Sequence, residues 1–508
     1  MKKHNQQAGF SVIELLITLF IAVAFLVSGY QLYSVITRDG GESRTQSRAS
    51  NLAYDYIQRY TSSALAICSE QSILTDQAVS ADNLSNVLVT VTISCPYGDT
   101  PTISKVLVIV KYGSPQKEVA HSVYTEKVLP EGAWQQINAG DGHTCGVAGG
   151  QAYCWGSGSL GQLGNNTTGN SLIPAAVDTA GILSGKVPSR ITAGVAFSCT
   201  VASSLAYCWG SGSLGQLGNG STTQQNAPVA VNTAGVLSGK TVTDVSAGWL
   251  HTCAVASGNA YCWGTGSFGR LGNNATTQQN APVAVNTAGV LSGKTVTAVA
   301  AGNVHSCAVA DGQAYCWGWN GNGELGNNST TQSLVPVAVY TGGVLNGKTV
   351  TRISVAASSG TRHSCAVADG QAYCWGQGAY GKLGNNSTAD SSVPVAVDIS
   401  GVLAGKTVTD ISAGMDHTCA VAGGRVYCWG RNATWGQLGN NSTADSLVPV
   451  AVETSIMAGS ATSVSAGTNH SCAIAKSRVY CWGLNSNGAL GNNSVTYSRV
   501  PVEIAASS

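Results

Sequence analysis

The sequence predicts two parts: an N-terminal long α-helix with a small α+β domain, followed by an all-β seven-bladed β-propeller. Three observations carry this. An apolar run occupies residues 10–29. Helical spacing gives way to β-branched runs between 30 and 127. A Cys-Trp-Gly triplet then recurs at Cys154, Cys208, Cys262, Cys316, Cys374, Cys428 and Cys481, at intervals of 54, 54, 54, 58, 54 and 53 residues. Repeats of this period mark propellers or solenoids, and no helical periodicity appears in them. The expected boundaries are a leader at 1–9, a membrane or filament helix at 10–29, an α+β domain at 30–127 and the propeller at 128–508.

Composition narrows the function classes. Hydrophobic residues make up 44% of the 508, enough to bury a core, so wholesale disorder is excluded. The formal net charge is +1, only 10% of residues are charged, and no Lys/Arg run exists, so no nucleic-acid partner is expected. Sixteen cysteines, an even number with fourteen of them paired in the repeats, point to a disulfide framework and an oxidising compartment.

From Phe10 to Gly29 the chain carries one charge, Glu14. As a helix this run spans about 30 Å, one hydrocarbon thickness. Lys2 and Lys3 precede it, which keeps the leader on the cytoplasmic side. A secretory signal would place its small-residue cut after the apolar run; here Gly9 comes before it. This junction, with Glu14 as fifth residue after it, resembles the type IV prepilin leader. The resemblance implies cleavage by prepilin peptidase between Gly9 and Phe10, N-methylation of Phe10, and pairing of Glu14 with a neighbouring subunit's amine during filament assembly. A plain signal anchor is the alternative. Gln31 stands where many major pilins carry proline.

In the segment 30–127, Leu52, Tyr56, Ile57 and Tyr60 fall at helical spacing. NVLVTVTISC, ISKVLVIVKYG and HSVYTEKVL then read as three antiparallel strands. The order resembles a pilin globular domain. Cys68 and Cys95 are expected to form a disulfide worth roughly 3–4 kcal/mol; two free thiols are the other possibility.

Each repeat holds four β-type stretches, as in VTAVAAG, HSCAVA, QAYCWG and VPVAV. HTCAVA, AYCWG, GQLGNN and VPVAV closely resemble the repeats of the regulator of chromosome condensation family, which implies a seven-bladed propeller over about 370 residues. The cysteines depart from the usual family pattern, and arithmetic places them. Cys307 and Cys316 lie nine apart about Asp311-Gly312, a dipeptide favoured in two-residue hairpins. Counting outward makes 307–316 a non-hydrogen-bonded pair, about 4.5 Å between Cα atoms and within disulfide reach. The expected bridges are Cys145–Cys154, Cys199–Cys208, Cys253–Cys262, Cys307–Cys316, Cys365–Cys374, Cys419–Cys428 and Cys472–Cys481. Zinc is the rival, but the spacing does not match its usual ligand sets. Ser203-Ser204 and Lys476-Ser477 fit the hairpin less well than the glycine-containing turns.

His143, His251, His305, His363, His417 and His470 recur before Thr/Ser-Cys, with Phe197 in the seventh place. They either ring a channel as a metal or pH site or are packed, hydrogen-bonded side chains; the Phe197 exception favours packing. The Asn-Asn-Ser/Thr runs read as turn chemistry, with glycosylation as a minor possibility.

Strand parity puts the first and third loops of each blade on one face and the GVLSGK connectors on the other. Variation gathers on the first face, where Trp249, Phe268, Trp319, Arg362, Tyr380, Arg431 and Trp435 form the expected ligand-binding set. No nucleophile–base pair, metal box or phosphate loop appears, so no enzyme activity, cofactor or metal is expected. The pilin resemblance implies a minor, tip-located type IV pilin. It would sit in the inner membrane before assembly and then present the propeller outside the cell for adhesion or for binding a surface protein or glycan. The alternative is a pseudopilin that presents the propeller to cargo of a type II-like secretion system. Its partners would be other pilin subunits, prepilin peptidase and the unknown surface ligand.

Overall fold

The structure is a computed structural model. It describes residues 42, 44–57, 59–60, 71–81, 84–94, 103–126, 133–358, 360, 362–457 and 460–505. The chain divides into two compact units, Met1–Lys127 and Val128–Ser508.

In the first unit a helix over residues 44–57 lays Ala49, Ala53, Tyr56 and Ile57 on one four-stranded antiparallel sheet. The strands are β1 (Gln71–Ala78), β2 (Leu88–Ser94), β3 (Ile103–Tyr112) and β4 (Lys117–Glu126), paired in chain order. Alternation aims Val89, Val91, Ile93, Val106, Val108 and Val110 at the helix. The sequence reading named three strands and missed β1. Its pairing with β2 slips twice, and Asp76 sits at φ 45°, so the alternation that announces a strand is broken there.

Two expectations fail here. Among the described residues, no long N-terminal α-helix leads into a pilin-like α+β domain. The described residues are nearly all β, in eight four-stranded sheets, with helix confined to residues 42–60 and two three-residue 3-10 turns. Nor is any helix among them long and apolar enough to cross a membrane, which overturns the transmembrane helix and the single-pass inner-membrane localisation leading to a filament tip. The helix that is described, over residues 44–57, has only a narrow apolar stripe. Tyr54 is exposed and an Asp55–Arg59 ion pair faces water, so the stripe suits a sheet, whereas lipid demands an apolar surface all round. Gly9, Phe10, Glu14 and the 10–29 run lie outside the described residues.

The second unit is a propeller of seven four-stranded meanders. Blade 1 holds β5 (Trp134–Ala139), β6 (His143–Ala148), β7 (Gln151–Gly156) and β8 (Ser171–Ala176). Blades 2 to 7 span 188–230, 242–284, 296–338, 350–396, 408–451 and 461–503. First strands line a central channel. Second strands are buried at every position, because each blade is covered by both neighbours.

The hairpin between second and third strands turns on two residues with positive φ in all seven blades. Asp311-Gly312 has 47° and 72°, and even Ser203-Ser204 and Lys476-Ser477 adopt it. That geometry is the two-residue turn whose twist matches the strands. It places Cys307 opposite Cys316 and each corresponding pair likewise. The seven bridges Cys145–Cys154, Cys199–Cys208, Cys253–Cys262, Cys307–Cys316, Cys365–Cys374, Cys419–Cys428 and Cys472–Cys481 have Cα–Cα distances of 4.0–4.1 Å. Cys68 and Cys95 lie outside the described residues.

Blades are joined by one recurring latch. The Gly-x-Leu-Gly loop after each third strand offers the carbonyl of its second residue to the next blade. Gln162 O accepts Trp209 Nε1–H at 2.9 Å and the Ser198 hydroxyl at 2.9 Å. Gln216, Arg270, Glu324, Lys382 and Gln437 repeat the pattern. Ala489 O closes the ring on Trp155 and Thr144 of blade 1. A hydroxyl that donates to this carbonyl can only accept from the histidine beside it. His143 Nε2 accordingly lies 2.8 Å from Ser198 Oγ, and His305 Nε2 2.8 Å from Ser364 Oγ. The six histidines are therefore packed links between blades, not channel ligands.

Protonation would place a proton on Nδ1, which in His143, His251, His305, His363 and His417 is buried without a partner. Burial holds His143, His305 and His417 down to about 3 and His470 to about 4. These folded values lie below the unfolded ~6.5, so the neutral ring stabilises fully above pH ~6.5 and loses that contribution as pH falls toward 3–4. At pH 5 each of these four should cost about 2 kcal/mol. Melting temperature should drop steeply from pH 7.5 to 5, and less so in His251→Phe, which copies Phe197. A flat profile in the parent chain would contradict the buried neutral ring.

Candidate binding face of the propeller

The latch uses a main-chain carbonyl, so the side chain at the same position is free to differ between blades. It reads Gln162, Gln216, Arg270, Glu324, Lys382, Gln437 and Ala489, each almost wholly buried. In blades 1 and 2 the glutamine only braces its own loop; Gln162 Oε1 accepts the Leu160 amide at 2.9 Å. In blades 3 to 5 a charge replaces it, and in blades 3 and 5 that charge bonds the next blade. Arg270 donates from Nη1 to Asn303 O at 2.7 Å. Lys382 Nζ, fully buried, meets Asp416 at 2.7 Å. Glu324 lies between them with Oε2 accepting the Asn322 amide at 2.8 Å and Oε1 unpartnered.

Above these charges runs a band of aromatic rings and arginines. Phe268 and Trp319 meet edge to face at 5.1 Å between centroids. Arg362 lies 5.4 Å over Trp319, and Arg431 5.0 Å over Tyr380. Trp435 meets Tyr497 at 5.9 Å, with Arg499 5.7 Å over Tyr497. Six of the seven residues expected from sequence thus fall into three contact groups spread over blades 3 to 7. Trp249, half-buried in the first loop of blade 3, joins none of these ring pairs. Sequence reasoning missed Tyr497, Arg499, Glu324 and Lys382. Aligning the seven Gly-x-Leu-Gly loops by column would have exposed Glu324 and Lys382.

Two of the rings are held in an unusual backbone state. Phe268 and Tyr380 have φ of 63° and 61°, the left-handed region where bulky side chains are rare. Both remain about two-fifths exposed, at 41% and 42%. Strain of this kind clusters at functional sites, which makes the two rings candidate contact residues.

Glu324 offers a titratable probe of the face. Burial pushes its carboxyl up to about 7, against the pull of two amides and Arg362. The folded value exceeds the unfolded ~4.3, so ionising it lowers stability progressively between pH ~4 and ~7 and in full above. Glu324→Gln should therefore raise the melting temperature by a few degrees at pH 8 and leave it nearly unchanged at pH 4.5. An equal shift at both pH values would show that the carboxylate is already compensated.

Comparisons with known proteins bear on the propeller. The RCC1-like domain model matches residues 206–508, and a regulator of chromosome condensation (RCC1) repeat matches 149–201. The ultraviolet-B receptor UVR8 of Arabidopsis thaliana is 32% identical over 321 residues, 62% of this chain and 69% of the receptor. The human E3 ubiquitin-protein ligase HERC2 is 30% identical over 364 residues, 70% of this chain but only 7% of the ligase. Human WBSCR16 superposes with a TM-score of 0.59 at 22% identity, over 70% of this chain and 90% of that one. Prp20p of Saccharomyces cerevisiae gives 0.56 at 20%, over 66% and 80%. These two share the fold.

The comparisons correct the functional expectation. A minor type IV pilin or pseudopilin, its adhesive role, and pilin subunits, prepilin peptidase and a surface ligand as partners are all overturned, because the relatives that match the propeller are RCC1-like proteins. The pilin resemblance rested on a few residues around Gly9, whereas the similarity to these relatives runs through seven repeats. By the match over more than half its length, the chain belongs to the family of RCC1-like domain proteins.

Proposed function

We propose that the propeller is a protein-binding module, not an enzyme, and that its docking surface is the loop face over blades 3 to 7. The observation that carries this is the stacking of Arg362 on Trp319, Arg431 on Tyr380 and Arg499 on Tyr497, beside half-exposed Phe268. Cations over ring faces combine charge with a rigid apolar surface, and aromatic residues and arginine are the types that dominate binding energy at protein interfaces. The opposite face lacks this pattern: its connector lysines lie over tyrosines of their own repeats, as Lys294 over Tyr315 and Lys348 over Tyr373. Relatives are consistent with protein partners. The yeast Prp20p structure is described with binding to Gsp1p and histones, and another yeast RCC1 (Prp20) structure has Kap60 bound.

The test is quantitative affinity capture with cross-linking on the full chain. Trp319→Ala with Tyr380→Ala should lower recovery of the proteins captured by the parent at least tenfold, since a hot-spot truncation costs ~2 kcal/mol or more. Lys294→Ala with Lys348→Ala should leave recovery unchanged. Melting temperature should move by no more than about 2 °C in either pair. Equal recovery with both pairs would remove this face as the docking surface.

A further inference from the structure

The central channel carries chemistry that the loop face does not use. It is a cavity of about 450 Å³, within the range of small-molecule sites. The third residue of the first strand lines it in six of the seven blades, Ala298 of blade 4 excepted. That residue is Arg190 in blade 2, Asp244 in blade 3, Arg352 in blade 5 and Asp410 in blade 6, and it is uncharged in the other three. A channel that only needed filling would repeat one residue, as the disulfides and the latch tryptophans do. This one instead alternates sign.

The two signs are unequally satisfied by the protein. Asp244 Oδ2 accepts the Val299 amide at 3.2 Å, and Asp410 Oδ2 the Val464 amide at 3.0 Å, each from the next blade. Those bonds brace neighbouring first strands. They do not neutralise the carboxylates. Burial holds Asp244 up to about 6 and raises Asp410 too, although Arg190 and Arg352 pull Asp244 down and Arg352 pulls Asp410 down. Arg190 approaches Asp244 only to 3.7 Å and keeps 54% of its side chain exposed. Arg352 donates from Nη1 to Thr351 O at 3.3 Å and is otherwise open to the channel. Two guanidinium forks thus hold unused donors beside two carboxylates short of positive charge.

We propose that the channel is a binding site for a small zwitterion bearing a carboxylate and an ammonium group, the carboxylate held by Arg190 or Arg352 and the ammonium by Asp244 or Asp410. A fork takes a carboxylate through two parallel bonds, whereas a lone anion would meet the aspartates and a lone cation the arginines. The site is separate from the loop-face band and stands whether or not that band docks a protein.

Isothermal titration of the full chain with the ω-amino acids from glycine to 6-aminohexanoate tests the proposal and measures the spacing of the charges. One chain length should bind best. The carboxylic acid and the alkylamine of that length should each bind at least tenfold more weakly. Arg352→Gln and Asp410→Asn should each weaken the best amino acid at least tenfold, with circular dichroism and melting temperature close to those of the parent. The Asp410→Asn side chain keeps an oxygen for the Val464 amide, so loss of binding there reports charge and not unfolding. Trp319→Ala with Tyr380→Ala should bind like the parent. No binding by any member of the series, equal binding of the acid or amine alone, or affinity that survives both channel variants would overturn the site.

Discussion

Seven carbonyl oxygens hold this propeller together. Each belongs to the second residue of a Gly-x-Leu-Gly loop, and each accepts a tryptophan indole and a Ser/Thr hydroxyl from the next blade. A backbone carbonyl has two lone pairs, so one buried oxygen can satisfy two buried donors. Left unpaired, each donor would cost about 1–3 kcal/mol. The loop can approach the tryptophan only because a glycine follows: a Cβ at Gly164 would fall 2.6 Å from the Trp209 ring nitrogen. Closure uses the same device. No strand is exchanged between blades 7 and 1; Ala489 O simply meets Trp155 and Thr144.

This arrangement separates fold from function. Because the latch is made by main chain, the side chain of its residue is available for variation, and it varies from glutamine to arginine, glutamate, lysine and alanine around the ring. The first strands follow the same logic. At their fifth position Asn138, Thr192, Ser246, Ser354, Ser412 and Ser465 each accept an amide of the next blade, while Ala300 alone offers no oxygen. Two layers above, the third position carries the alternating charges. Repeated elements make the disc; the columns that break the repeat mark the loop face and the channel.

Much of this was legible in the sequence, for identifiable reasons. The spacing of Cys-Trp-Gly counts blades, and the Asp-Gly pair between cysteines nine apart dictates hairpin register, which then holds even at Ser203-Ser204, where local propensity is poor. Strand parity assigns the loops to faces. The histidine links were legible in kind, through the Phe197 exception, but not in partner, since that partner lies in the next blade some 55 residues on. Glu324 and Lys382 were hidden inside glycine-rich loops read as blade turns, and the channel charges inside stretches read only as β-type. At the N-terminus a short motif match was given more weight than it could bear. Strand β1 was missed because its register slips, and the membrane and pilin readings did not survive the all-β architecture and the family match.

The latch is tested most directly by hydrogen exchange of the eleven tryptophan indoles, followed by NMR on chain labelled with ¹⁵N-tryptophan. Trp155, Trp209, Trp263, Trp317, Trp375, Trp429 and Trp482 make the inter-blade bond; Trp134, Trp249, Trp319 and Trp435 do not. If seven equivalent latches close one cooperative ring, the seven indole protons exchange together, at the slow rate of global unfolding, blades 1 and 7 included. Exchange of Trp155 or Trp482 at rates orders of magnitude above the other five would show that the ring is open at its seam, and would contradict the account.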